Sequence, residues 1–179
     1  MNFLAAVQAA LRIGMARKDA TAEAARAYTF TWLDAVIAAI VLVGVQIALF
    51  VWSFSGVDGL PSAVVRDTGL VIILSLALPY AIYWFTAQAA KAMAALPGAY
   101  VFLAPVLAAL QIVSAVLANF GQSTTAAVGL LAVFAGFGAR NFFGLGRGGA
   151  IAVGVAIAVA TIGAGLLLLV LPGGKMLLG

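Results

Sequence analysis

Neither cysteine nor histidine occurs anywhere in the 179 residues, and the acidic side chains number five: Asp19, Glu23, Asp34, Asp58 and Asp67. Zinc, copper, haem, bacteriochlorophyll and iron–sulfur sites normally rest on imidazole or thiolate ligands. A redox or pigment-binding role therefore has almost no ligands to draw on, and no cofactor is expected. Disulfides are impossible. No carboxylate follows Asp67, which removes Ser–His–Asp catalysis, paired-carboxylate chemistry and proton relays through the rest of the chain. An enzyme is not expected. Charge of either sign is scarce, at 8% of residues, whereas hydrophobic residues make up 66% and the mean hydropathy is +1.23. A soluble domain carries about 25% charged residues and could not cover its surface with so few. The same figures exclude a disordered chain, which is poor in apolar residues. The composition is that of an integral membrane protein, with no feature that calls for nucleic acid.

The apolar residues come in long runs. Residues 1–30 read as a basic, amphipathic N-terminal segment. Leu4, Val7, Leu11 and Met15 recur at helical spacing, with Gln8, Arg12 and Lys18 off that stripe, which predicts an interfacial helix. Its positive charges follow the apolar stretch, the reverse of a signal peptide, so the segment reads as retained. Residues 31–179 then read as an all-α transmembrane domain of about five spans, near 32–54, 66–88, 98–119, 124–143 and 148–171. About 20 apolar residues cross a bilayer as a helix. Thr31 and Asp34 have the spacing of a capping box at the first span, and Trp32 and Trp52 mark its two ends. Pro61 suits the first turn of the second span, Pro79 lies inside it, and Ser123 or Thr124 can cap the fourth. A transmembrane β-barrel is excluded, since its strands need polar positions alternating with apolar ones.

Five spans allow an orientation test. With the N-terminus cytoplasmic, the inner segments hold Arg12, Arg17, Lys18, Arg26, Lys91, Arg140 and Arg147, and the outer ones only Arg66 and Lys175. The positive-inside rule selects this arrangement, with the C-terminus outside. An alanine-rich chain without cysteine or an Asn-x-Ser/Thr sequon fits a bacterial inner membrane, in which case the C-terminus is periplasmic.

Two constellations stand out as candidate binding sites. Gly144-Leu145-Gly146-Arg147-Gly148-Gly149 formally matches a dinucleotide fingerprint. That reading needs a preceding strand and an acid about 20 residues on, and neither is there. Arg140, Arg147 and the amides at Gly148 instead suit the phosphate of an anionic phospholipid; the plain alternative is a turn obeying the positive-inside rule. In span three, Ala104, Ala108, Gln111 and Ala115 form a seam of small residues with one amide in it. Similar stripes run through Gly129, Ala132, Gly136 and Ala139 in span four, and through Ala152, Ala156 and Ala160 in span five. Such seams let helix backbones approach closely, either within the bundle or against another membrane subunit or a second copy. Gln46, Ser75, Gln111, Ser114 and Thr161 are polar at membrane depth, and none is ionisable, which argues against an ion or proton path.

The five-span layout resembles bacterial members of the Yip1-domain family. The likeness lies in Tyr80-Ala81-Ile82-Tyr83-Trp84-Phe85, in the tight hairpin at Phe120–Thr124, and in Phe142-Phe143-Gly144-Leu145-Gly146 before the last span. It covers residues 1–175 at the level of layout. The acidic-Leu-x-Gly-Pro signature of eukaryotic members and any Gly-Tyr pair are absent, so no functional residue carries over. The resemblance implies a non-enzymatic helper. The reading that follows is an accessory or scaffold subunit, packing against itself or a larger membrane complex. The alternative is a small transporter or channel for a neutral solute or lipid.

Overall fold

The computed structural model describes residues 3–15, 28–55, 59–121, 124–173 and 175. Arg17, Lys18, Asp19, Glu23, Arg26, Asp58 and Ser123 lie outside the described residues. Among the described residues six α-helices follow in order: α1 (Phe3–Met15), α2 (Trp32–Ser53), α3 (Ser62–Ala89), α4 (Leu96–Asn119), α5 (Thr125–Phe143) and α6 (Arg147–Val170), with a 3₁₀ turn at Met93–Ala95 before α4. The last five are long and apolar enough to cross a membrane. At 13 residues, α1 is about 20 Å long and too short to do so. The chain is an all-α, multi-pass helical bundle.

Local chemistry sets the helix ends. Asp34 Oδ2 accepts from the Thr31 amide at 2.9 Å and its own amide donates to Thr31 Oγ1 at 3.3 Å, completing the capping box. Pro61 stands at the N-cap of α3 and Thr124 at that of α5, where its hydroxyl makes no capping bond. Gly144 ends α5 with φ +67°, a left-handed cap that glycine adopts at little cost. Pro79 sits buried inside α3, and the helix continues past it to Ala89.

Neighbours in sequence are not always neighbours in space. α5 and α6 make the most extensive contact; α2 packs on α4, α4 on α5, and α3 on α6. α1 lies in the notch between α4 and α5. Its buried face is Ala6, Ala10, Ile13 and Gly14, while Leu4 and Met15 are exposed. Of the apolar stripe read in the sequence, Val7 and Leu11 pack at the edge of the core. Ala6, Ala10 and Gly14, spaced by four, win because small residues let the helix axis come close to its neighbours.

The end of the bundle where α2, α4 and α6 start carries Lys91, Arg140 and Arg147, and is called the basic end below. It is filled by rings. Phe102 meets Phe142 at a centroid distance of 5.9 Å, Tyr83 meets Phe143 at 5.4 Å, Tyr80 meets Tyr100 at 4.8 Å, and Trp32 meets Trp84 at 6.4 Å. Gly14 and Gly138 both lie against the Phe102 ring, leaving no room for a Cβ at either. The Tyr83 hydroxyl donates to the Ala135 carbonyl at 2.7 Å, tying α3 to α5. Just outside α2, Tyr28 faces Asp34, and its phenol is held above the ordinary tyrosine range, first by burial and then by the Asp34 charge.

Candidate functional site

The two candidate constellations lie at different depths of the bundle, one between α5 and α6 and the other between α4, α5 and α6. At the basic end, a groove of about 410 Å³ runs between α5 and α6. Ala132, Gly136 and Ala150 lie along it, Phe137 and Val155 flank it, and Arg140 and Arg147 both line it. Its backbone walls approach closely: a Cβ on Gly136 would come within 2.8 Å of the Ala150 carbonyl oxygen, and one on Gly154 would collide with the Ala132 carbonyl. Arg140 occupies the last turn of α5, where the negative end of the helix dipole favours a cation. Arg147 opens α6, whose N-cap Gly146 offers no side chain to the first amides. Gly148 is exposed beside it. The one ion pair among the described residues is Arg66–Asp67, so neither groove arginine has a carboxylate partner among them. Two cations and free helix-start amides at the mouth of an apolar groove suit a phosphate with a hydrocarbon chain attached.

Toward the far end, a larger cleft of about 650 Å³ opens between α4, α5 and α6. Gln111 and Ser114 face it from α4, Thr124 and Thr125 from the start of α5, and Thr161 from α6. The Thr161 hydroxyl is engaged by its own helix, donating to the Ile157 carbonyl at 2.9 Å. Neither Gln111 nor Ser114 has a hydrogen-bond partner among the described residues. The seam read along span three therefore divides: Ala104 is buried and Ala108 packs on the core, whereas Gln111 lines the cleft and Ala115 is half-buried.

The small residues of span five act in a different register from the stripe read in sequence. Ala152 and Ala156 are exposed; Ala150 and Gly154, one face over, pack on Ala132 and Gly136. Small and branched residues alternate from Ala150 to Ala160, so every face of this helix carries a small residue, and spacing alone does not choose among them.

Two polar features escaped the sequence reading. Asn141 donates from Nδ2 to the carbonyls of Ile13 and Gly14 at 3.1 and 3.0 Å, holding the end of α1. Asp67, only 2% exposed, accepts from the Gly173 amide at 2.8 Å and pins the chain after α6 to the start of α3. A carboxylate near a span end was the only local signal for the second, and nothing local announced the first.

The fold and the membrane-length helices define a multi-pass integral membrane protein. Comparison with protein-family models, with curated proteins and with solved structures finds no match to this chain.

Proposed function

We propose that this is a non-catalytic membrane protein of accessory or scaffold type, whose basic end holds an anionic phospholipid. The observation that carries the reading is the groove between α5 and α6 that has both Arg140 and Arg147 in its lining. A lipid acyl chain fits against Ala132, Gly136 and Ala150, and its phosphate meets the guanidinium groups. In the proposed setting, a bacterial inner membrane with the N-terminus cytoplasmic, this headgroup belongs to the inner leaflet. The seven-to-two distribution of basic residues supports that orientation. The proposed likeness to the Yip1-domain family agrees with a helper role. Lipid mass spectrometry on protein purified in mild detergent tests the lipid. Anionic phospholipid should co-purify with the wild type and be lost from the Arg140→Gln/Arg147→Gln variant. Equal retention in the two sinks the site.

A second reading, a carrier or channel for a neutral solute or lipid, is favoured by the far cleft and by Gln111 in its wall, which has no hydrogen-bond partner among the described residues. Proteoliposome flux that disappears in Gln111→Leu would put it first.

A further inference from the structure

Polar side chains at membrane depth are costly when unpaired, because the hydrocarbon offers no hydrogen bonds. Gln111 lies eight residues before the end of α4, about 12 Å along the helix axis. Ser114 lies one turn nearer the end. Both line the far cleft without a hydrogen-bond partner among the described residues, so they are available to whatever fills it. Among the described residues no charged side chain lines it, in contrast to the groove at the basic end. Its floor is closed: Leu107, Leu110, Ala127 and Leu131 are buried members of the core. Its mouth is open in two directions. Thr124 and Thr125 are exposed at the end of the bundle, and Ile162 and Leu166, 48% and 55% exposed, stand on its lateral side toward lipid.

We propose that the far cleft is a binding site for an uncharged amphiphile, with a hydroxyl- or ester-bearing head on Gln111 and Ser114 and its hydrocarbon among Leu107, Leu131 and Ile162. The lack of lining charge selects against phosphate and ammonium headgroups. The lateral opening admits a molecule from the bilayer. The closed floor makes the cleft a place to hold a ligand. A volume of 650 Å³ also falls in the range of sites that enclose a small ligand. The Gln111 amide can donate to an ester carbonyl and accept from a hydroxyl, and the Ser114 hydroxyl can do either. The proposal stands independently of the lipid at the basic end and of the accessory reading.

The test uses the full-length protein in phosphatidylcholine nanodiscs with a diacylglycerol carrying a photoactivatable diazirine in its acyl chain. Labelling should concentrate on peptides containing Leu107–Ser114 and Ala158–Leu166. The loss of two hydrogen bonds should weaken labelling of Gln111→Leu/Ser114→Ala by about tenfold or more. A second variant guards against misfolding. A Cβ on Gly129 meets nothing within 4 Å, so Gly129→Leu fills the cleft without a clash at its Cβ and should abolish labelling with unchanged melting. Arg140→Gln/Arg147→Gln should label like the wild type. Equal labelling in wild type and Gly129→Leu overturns the proposal, as does label spread evenly over the lipid-facing helices. Competition by phosphatidic acid as strong as by unlabelled diacylglycerol overturns it too, because the cleft would then not prefer an uncharged head.

Discussion

The side-chain amide of Asn141 reaches from α5 to the backbone carbonyl of Gly14, 3.0 Å away, at the end of α1. The last carbonyls of a helix have no partner within it, and here a residue 127 positions later supplies one. The N-terminal helix is thereby held to the bundle by a polar bond as well as by its Ala6–Ala10–Gly14 face.

Removing that bond should loosen α1 selectively. Asn141→Leu leaves the Ile13 and Gly14 carbonyls without this donor, a loss of about 1 kcal/mol. Limited proteolysis should cut near α1 faster than in the wild type, while the span region stays resistant. Cleavage at the wild-type rate would show that the amide bond contributes nothing to docking.

Gly138 faces both the Phe102 ring and the Tyr83 hydroxyl in the closed aromatic end. Gly138→Ala forces a methyl group into that contact and should destabilise by about 1–3 kcal/mol, as overpacked cores do. Gly44→Ala is the control, because a Cβ there meets nothing within 4 Å. Thermal unfolding in detergent should separate the two; equal melting would mean the ring cluster yields easily.

The α5–α6 crossing is most sensitive at Gly154, where the obstacle is the Ala132 carbonyl, backbone that cannot rotate away. Gly154→Leu should separate the helices and abolish phospholipid retention at Arg140 and Arg147 along with stability. Ala156→Leu, on the exposed face of the same helix, should leave melting unchanged. If Ala156→Leu instead releases a partner protein or breaks an oligomer seen by cross-linking, the outward small residues of α6 serve assembly.

Asp67→Ala should free the segment after α6 by leaving the Gly173 amide without its acceptor. An unpaired buried donor costs about 1–3 kcal/mol. Carboxypeptidase should then trim the C-terminus faster than in the wild type, with the spans intact. No change in trimming would mean that the Gly173 packing against Ala63 suffices alone.

Reporter fusions at Met1 and Gly179 should place the two ends on opposite sides of the membrane, the first cytoplasmic. Finding both on one side would contradict five crossings.

Composition and run length sufficed for much of this protein. Two-thirds hydrophobic residues, scarce charge and five long apolar runs leave a helical membrane bundle as the way to satisfy every backbone amide in lipid. Thr31 and Asp34 were legible because a capping box is a contact between residues three apart. Arg140 and Arg147 were legible as a pair because only a short turn separates them. What the sequence could not decide was which face of each helix turns inward. In spans that are apolar all round, polarity does not mark an inner face; backbone approach does, so Gly154 packs and Ala156 does not. The same holds for Gln111, which lines one cleft with Thr125 of α5 and Thr161 of α6, and for Asn141, whose partner lies at the other end of the chain. Those contacts depend on how five nearly uniform cylinders settle against each other, and glycine placement with a few long-range hydrogen bonds decides that only once they meet.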